Sequence, residues 1–323
     1  MAPKNSQKIV VLATGGTIAG LAAQPMQRHY TAAVLPVSDL LRDLDWESDA
    51  SGWALEAEQV AQVDSKDMTH ALWATLAQRC AVHLARPEVA GLVITHGTDT
   101  AEETVFFLQS VLSPSKPIAL TCAMRPANAP NADGPGNLRD AIDWVRSSVA
   151  LTHVPPQVVL VAAGQVHAAD VVQKVLSDSI DAFSSGPSGP LARIDSAGWQ
   201  IRRDTLTPER WPAPALAALG DGRDWPEVRL VYSHAGADGR EVRALMALNP
   251  APRGWVIAAT GSGTVHQALR AALQEARHQG AEIACASRCV WGQAVVQPDD
   301  GLCRPIALSP AKARIAWMLA LMV

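Results

Sequence analysis

The chain has 323 residues, 48% of them hydrophobic, which is enough for about two domains with sizeable cores and excludes general disorder. Its formal net charge is −4, from 27 basic and 31 acidic residues, so the sequence offers no electrostatic footprint for nucleic acid or for an anionic membrane surface. No run approaches the ~20 apolar residues of a membrane-spanning helix.

Lys4 and Lys8 precede the apolar run Ile9-Val10-Val11-Leu12-Ala13, an order that imitates a signal peptide. The run is only five residues, against the roughly 7–15 of a signal-peptide core, and Thr14-Gly15-Gly16-Thr17 interrupts it. Residues 8–13 therefore read as a strand, as do 91–96, 116–121 and 157–162, all apolar on both faces as buried parallel strands are. Helical patterns lie between them at 38–44, 67–84, 101–112 and 137–149, and Thr100-Ala101-Glu102-Glu103 reads as a capping box. The stretch from 204 to 226 carries Pro208, Pro212, Pro214 and Pro226 with little periodicity and reads as a linker. Beyond it come strands at 228–233, 254–259 and 282–286, a helix at 265–278 stopped by Gly280, and a last helix opened by Ser309-Pro310 and running to about Met322. The expectation is an α/β protein: a larger N-terminal domain, 1–203, with a doubly wound, mostly parallel sheet, then a linker, 204–226, and a smaller α/β domain, 227–323.

Cysteines at 80, 122, 285, 289 and 303 form an odd, scattered set. Three residues separate Cys285 from Cys289, but no second pair follows at zinc spacing. Free thiols in a reducing, cytoplasmic setting are the simpler reading. The nine histidines show no paired ligand spacing, so no metal is expected. His96 reads as structural, and the ten tryptophans as core or interface packing.

Two loops carry the chemistry. In Gly15, Thr17 and Gly20 the first loop has the spacing of a dinucleotide-binding G-x-G-x-x-G, but Thr17 fills the middle place, where backbone must touch a pyrophosphate. The loop is a poor phosphate cradle and a good holder for a nucleophilic hydroxyl at a strand end. The second loop, Thr95-His96-Gly97-Thr98-Asp99-Thr100, sets a hydroxyl and a carboxylate just before a helix N-terminus, which suits proton handling.

T-G-G-T-I-A-G at 14–20 and I-T-H-G-T-D-T at 94–100 resemble the two signatures of bacterial-type L-asparaginases. Val63-Asp64-Ser65-Lys66-Asp67-Met68 is similar to that family's substrate-carboxylate loop, and Ala123-Met124-Arg125-Pro126, Ala132-Asp133-Gly134-Pro135-Gly136-Asn137-Leu138 and Gly189-Pro190-Leu191 are also similar. The resemblance implies a two-domain α/β fold, a homotetramer built as a dimer of dimers, and hydrolysis of L-asparagine to L-aspartate and ammonia without metal or cofactor. It implies Thr17 as nucleophile, Tyr30 on a lid as the group that polarises it, and Thr98, Asp99 and Lys174 as a proton relay. Ser65 would bind the substrate α-carboxylate, Asp99 its α-ammonium and the carbonyl of Ala123 its amide, with Gly16, Asp64, Gly97 and Thr98 lining the site.

The sequence departs from the family in three places. Lys66 stands where glutamine follows the carboxylate-binding serine, and is itself a substrate-binding candidate that would reinforce the hold on the α-carboxylate. No glutamate matches the acid that a neighbouring subunit contributes, although Gln293, Asp299 and Asp300 are close in sequence. Ser262 and Thr264 occupy the region where an asparagine is common, and are further substrate-binding candidates. These changes leave the choice between asparagine and glutamine open. The alternatives are a glutaminase-asparaginase of broader specificity, an amide donor for tRNA amidation, a non-catalytic amino-acid-binding relative, and a dinucleotide-binding oxidoreductase, against which Thr17 argues.

Overall fold

The computed structural model describes residues 7–24, 29–42, 44, 53–150, 154–201, 211–295 and 301–323. The chain divides into two compact units, residues 1–209 and 210–323.

The first unit is built on an eight-stranded sheet. Strand β1 (Gln7–Gly15) leads into a short hairpin of β2 (Leu21–Ala22) and β3 (Tyr30–Thr31), then α1 (Val37–Arg42). Next come β4 (Trp53–Val63), α2 (His70–Leu84), β5 (Val89–Thr95), α3 (Ala101–Leu112), β6 (Ile118–Thr121), α4 (Gly134–Ala150) and β7 (Val158–Ala162). The sheet is completed by β8 (Gln165–Ala168), β11 (Ala192–Asp195) and β12 (Gly198–Ile201), and a two-stranded hairpin of β9 (Gln173–Lys174) and β10 (Phe183–Ser184) stands apart from it. The strand order is β12-β11-β8-β7-β6-β5-β1-β4. From β7 to β4 all neighbours are parallel; β8, β11 and β12 extend the sheet antiparallel.

Ile9, Val10, Val11 and Leu12 are wholly buried because helices cover both faces. Ile9, Val11, Val93 and Val159 turn towards α1 and α4, where Leu40, Ile142 and Trp144 close one core. The alternation along each strand sends Val10, Leu12, Leu92 and Ile94 to the other face. Each such side chain contributes about 1.5–3 kcal/mol on removal from water.

The strands expected from sequence are all present, with ends moved by one or two residues. Strand β4 was not expected. It runs W-A-L-E-A-E-Q-V-A-Q-V at the sheet's edge, half-buried, and Glu56 and Glu58 disguise it as polar. The helix expected from 67 begins at His70. Asp64 accepts the Lys66 N–H at 3.4 Å and closes a separate 3-10 turn at Ser65–Asp67, after which the Thr69 hydroxyl caps α2 by accepting Leu72 N–H at 3.2 Å.

The second unit carries four parallel strands in the order β13 (Val228–Tyr232), β14 (Gly254–Ala259), β15 (Glu282–Ser287), β16 (Arg304–Pro305). Helices α5 (Arg240–Met246), α6 (Gln267–His278) and α7 (Pro310–Ala320) connect and close it. Within the 204–226 stretch, residues 204–210 lie outside the described ones, Leu216–Leu219 forms a 3-10 turn, and buried Trp225 donates to the Leu219 carbonyl at 2.8 Å. Pro310 opens α7 as expected, but the Ser309 hydroxyl makes no cap bond.

Candidate active site

Strand order locates the site. From β1 the chain moves outward to β4, whereas from β5 it moves the opposite way to β6. In such sheets ligands bind at the carboxyl ends of the strands where the winding reverses. The loops leaving β1 and β5 there are the two glycine–threonine stretches.

Their glycines bring the loops into contact. Gly15 and Gly16 have φ of +103° and +81°, and a Cβ on Gly16 would sit 2.3 Å from both Cα and N of Gly97. A Cβ on Gly97 would in turn meet the Ser65 Oγ at 2.5 Å. Three loops thus meet, two through backbone and the third through the Ser65 side chain, and Thr17, the residue after Gly16, opens a 3-10 turn with its side chain buried. The Thr17 Oγ1 lies 2.7 Å from the Tyr30 hydroxyl, its one hydrogen-bond partner among the described residues. Tyr30 is held in the β2–β3 hairpin, which Asn128 fastens through both its amide atoms to the N–H and C=O of Ala22, at 2.9 and 2.7 Å. Residues 25–28 of the expected lid lie outside the described ones.

At the second loop, Lys174 Nζ donates to Thr98 Oγ1 at 2.9 Å and to Asp99 Oδ1 at 2.6 Å. Thr98 is buried, the Lys174 side chain is 18% exposed and that of Asp99 is 54% exposed. The carboxylate therefore meets solvent while the hydroxyl does not. The expected capping box is not formed. Thr100 is the N-cap of α3 by position, but its hydroxyl donates to the Ser65 carbonyl at 2.8 Å and so ties the second loop to the Ser65 loop.

His96 is structural, as its neighbours show. Trp73 Nε1–H can only donate, and it donates to Thr104 Oγ1 at 2.9 Å. The Thr104 hydroxyl then gives its proton to His96 Nε2, 3.0 Å away, and the Nδ1–H is left to bond the Gly97 carbonyl at 2.7 Å. Complete burial holds the imidazole neutral by pushing its pKa down to about 4, against a smaller upward pull from the Gly97 carbonyl.

Ser65 is buried, and its Oγ accepts the Asp99 N–H at 3.1 Å. Lys66 turns onto its own loop, ion-paired with Asp67 and, at 3.8 Å, with Asp64; Asp67 chiefly, and Asp64 further, raise its pKa. The strand end at Ala123 is braced by two residues to which sequence reasoning gave no role. Asp133 accepts the N–H groups of Met124 and Arg125, both at 2.9 Å, and Asn137 donates to the Cys122 carbonyl at 2.9 Å. The signal was in the stretch Ala132-Asp133-Gly134-Pro135-Gly136-Asn137, whose polar residues stand at an interior strand end. Ser262 and Thr264 belong to the turn after β14 in the second unit, where Thr264 bonds Thr260 through main chain and hydroxyl. Gln293 is described there, whereas Asp299 and Asp300 lie outside the described residues. Among the described residues no group of three His, Cys, Asp or Glu could hold a metal ion.

Comparison with known families fixes the lineage. The model described as "Asparaginase, N-terminal" matches residues 8–207, and that described as "Glutaminase/Asparaginase C-terminal domain" matches 227–323. The chain belongs to the asparaginase family. Among family members, a glutaminase-asparaginase of Pseudomonas fluorescens is 32% identical over 97% of this chain and 86% of its own length. L-asparaginase 2 of Escherichia coli is 30% identical over 97% of this chain and 88% of its own. The crystal structure of a probable cytoplasmic L-asparaginase from Campylobacter jejuni superposes with a TM-score of 0.83 at 30% identity, covering 98% of this asparaginase-family chain and 95% of that one.

Proposed function

We propose that the chain hydrolyses the side-chain amide of L-asparagine to L-aspartate and ammonia, with Thr17 as nucleophile. The observation that carries this reading is a buried threonine hydroxyl at the sheet's reversal point, bonded to Tyr30, beside a second threonine that a lysine holds against an aspartate. A hydroxyl is a weak nucleophile until a positioned group takes its proton. Tyr30 orients and polarises Thr17. Thr98, Lys174 and Asp99 form the relay that accepts the proton and returns one to the departing ammonia.

Attack converts the amide carbonyl into an oxyanion that needs N–H donors. The Gly16 amide is engaged by the Val63 carbonyl and the Asp99 amide by Ser65, which leaves the main-chain N–H groups of Thr17, Gly97 and Thr98 as the candidate donors at the two turns. Ser65 receives the α-carboxylate, the exposed carboxylate of Asp99 the α-ammonium, and the Ala123 carbonyl the amide N–H, with Gly16, Gly97 and Asp64 shaping the pocket. The α-ammonium and Lys174 draw on the same carboxylate, so Asp99 ties substrate binding to the base. The test is ammonia release from L-asparagine by the wild type and Thr17→Ala. Near-normal turnover by a folded Thr17→Ala protein overturns the assignment.

A second substrate, L-glutamine, is favoured by the relatives named glutaminase-asparaginase, and comparison of kcat/KM for the two amides decides it. We further infer a cytoplasmic homotetramer, arranged as a dimer of dimers. None of the five cysteines is joined in a disulfide, which suits a reducing compartment, and no helix among the described residues is long and apolar enough to cross a membrane. Relatives point both ways, one named cytoplasmic and one from Haemophilus influenzae named periplasmic. Cell fractionation tests the location, and light scattering of the purified protein tests the assembly.

A further inference from the structure

Lys174 is held by its main chain as well as its side chain. It sits in a hairpin whose strands are two residues each, pairing Phe183 with Lys174 and Ser184 with Gln173. Outside that ladder, the Val175 N–H bonds the Ala182 carbonyl at 2.8 Å, and the next side chains, Val175 and Leu176, are exposed. A two-stranded hairpin of this length is marginal by itself. A lysine also reaches its target through four rotatable bonds, so drift at its root becomes drift at Nζ.

The opposing segment grips this residue at three points. Glu102, in the first turn of α3, accepts the Lys174 N–H on Oε2 at 2.5 Å. From the same short segment Thr98 and Asp99 receive Nζ at 2.9 and 2.6 Å. The Glu102 bond is charge-assisted, of the stronger class, and its carboxylate stands at the favourable end of the helix dipole. One rigid helix start thus fixes both the origin and the end of the lysine side chain.

We propose that Glu102 is a positioning residue for the reaction: by anchoring the main-chain N–H of Lys174 it sets the base between Thr98 and Asp99. This rests on the reading of Lys174 as the base. Glu102 touches neither substrate nor reacting atoms, and its effect falls on the chemical step rather than on binding.

The experiment measures kcat and KM for L-asparagine, with melting curves, on full-length Glu102→Ala, Glu102→Gln and Lys174→Met. Lys174→Met is expected to lose about a hundredfold or more in kcat. Glu102→Ala should lose about tenfold to a hundredfold in kcat with KM changed by less than about threefold. Glu102→Gln keeps an acceptor oxygen at the same reach and should stay within about threefold of wild type. A merely structural role would not produce that rescue with a selective fall in kcat. Wild-type kcat in Glu102→Ala, an equal loss in Glu102→Gln, or a loss confined to KM overturns the proposal. Should Glu102→Ala not fold, Glu102→Asp replaces it: the charge remains beside α3, the reach is one methylene short, and wild-type kcat there overturns the proposal equally. Near-normal kcat in Lys174→Met would sink the base assignment itself, whereas a slow Lys174→Met beside an unaffected Glu102→Ala sinks only the positioning role.

Discussion

Two charged regions flank the main sheet, and they differ in how completely their groups are bonded. Along β4, Glu58 takes the Arg79 guanidinium on both oxygens at 2.6 and 2.8 Å, and His83 Nε2 at 2.6 Å. His83 Nδ1 lies 3.0 Å from Arg86 Nη1, which can only donate, so the imidazole must donate to Glu58 through Nε2. Arg86 then closes on Glu56 at 2.7 and 2.8 Å and reaches Glu88. The Arg86 hydrogen bonds are the main reason that the Glu56 pKa falls to about 2, and those of Arg79, then of His83, lower Glu58. Little bonding capacity is left over. At the ends of β1 and β5, by contrast, the Thr17 hydroxyl has one partner among the described residues, Lys174 Nζ donates to two, and the Asp99 carboxylate faces solvent. Charge density alone would choose the first region. Spare bonding capacity at the reversal of the strand order chooses the second, because a ligand needs donors and acceptors that the fold has not already used.

Substitutions can break or sharpen that contrast, and the largest effect belongs to Thr17. Thr17→Ala should lower kcat by about a thousandfold or more, read as ammonia release, with little change in melting temperature. Lys174→Met should cost about a hundredfold to ten-thousandfold in kcat.

The next effect is on stability. The folded His96 titrates near 4 and its unfolded counterpart near 6.5, so the unfolded chain binds the extra proton between those values. Stability from this group is therefore complete above pH 6.5 and lost as pH falls towards 4, on the order of 3 kcal/mol, and His96→Gln should remove that part of the acid sensitivity in denaturant titrations.

The smallest effect falls on the saturated flank. Glu58→Gln should cost about 1 kcal/mol, since the pair is partly exposed, and leave kcat unchanged. The depressed pKa of Glu58 gives stability that is present above the unfolded carboxylate value of 4.5 and lost below it. The acid-sensitive windows of His96 and Glu58 are thus largely separate. A fall in kcat for Glu58→Gln as large as that for Lys174→Met would erase the distinction between the regions.

Much of this was legible in the chain. The fully apolar runs of β1, β5, β6 and β7 announce buried parallel strands because no face of them is left for water. Thr17 in a glycine's place, and Thr98-Asp99 ahead of α3, mark a hydroxyl site. Strand β4 was not legible, since its alternating Glu and Ala resemble a surface until Arg79, His83 and Arg86 arrive to neutralise them. The bracing of Cys122–Arg125 by Asp133 and Asn137, and the fastening of Ala22 by Asn128, involve partners 8 to 106 residues apart for which local pattern has no term.

By itself, then, the sequence determined the fully buried parallel strands, the helices between them and the identity of both threonine loops, because periodicity and glycine placement are local properties. Only the tertiary structure decided that Thr100 serves Ser65 rather than its own helix, that Lys66 turns onto Asp64 and Asp67, and that Glu102 grips the backbone of Lys174. Those outcomes depend on which polar atoms meet when distant segments pack, and each atom's bonding capacity can be given to one neighbour only at another's expense.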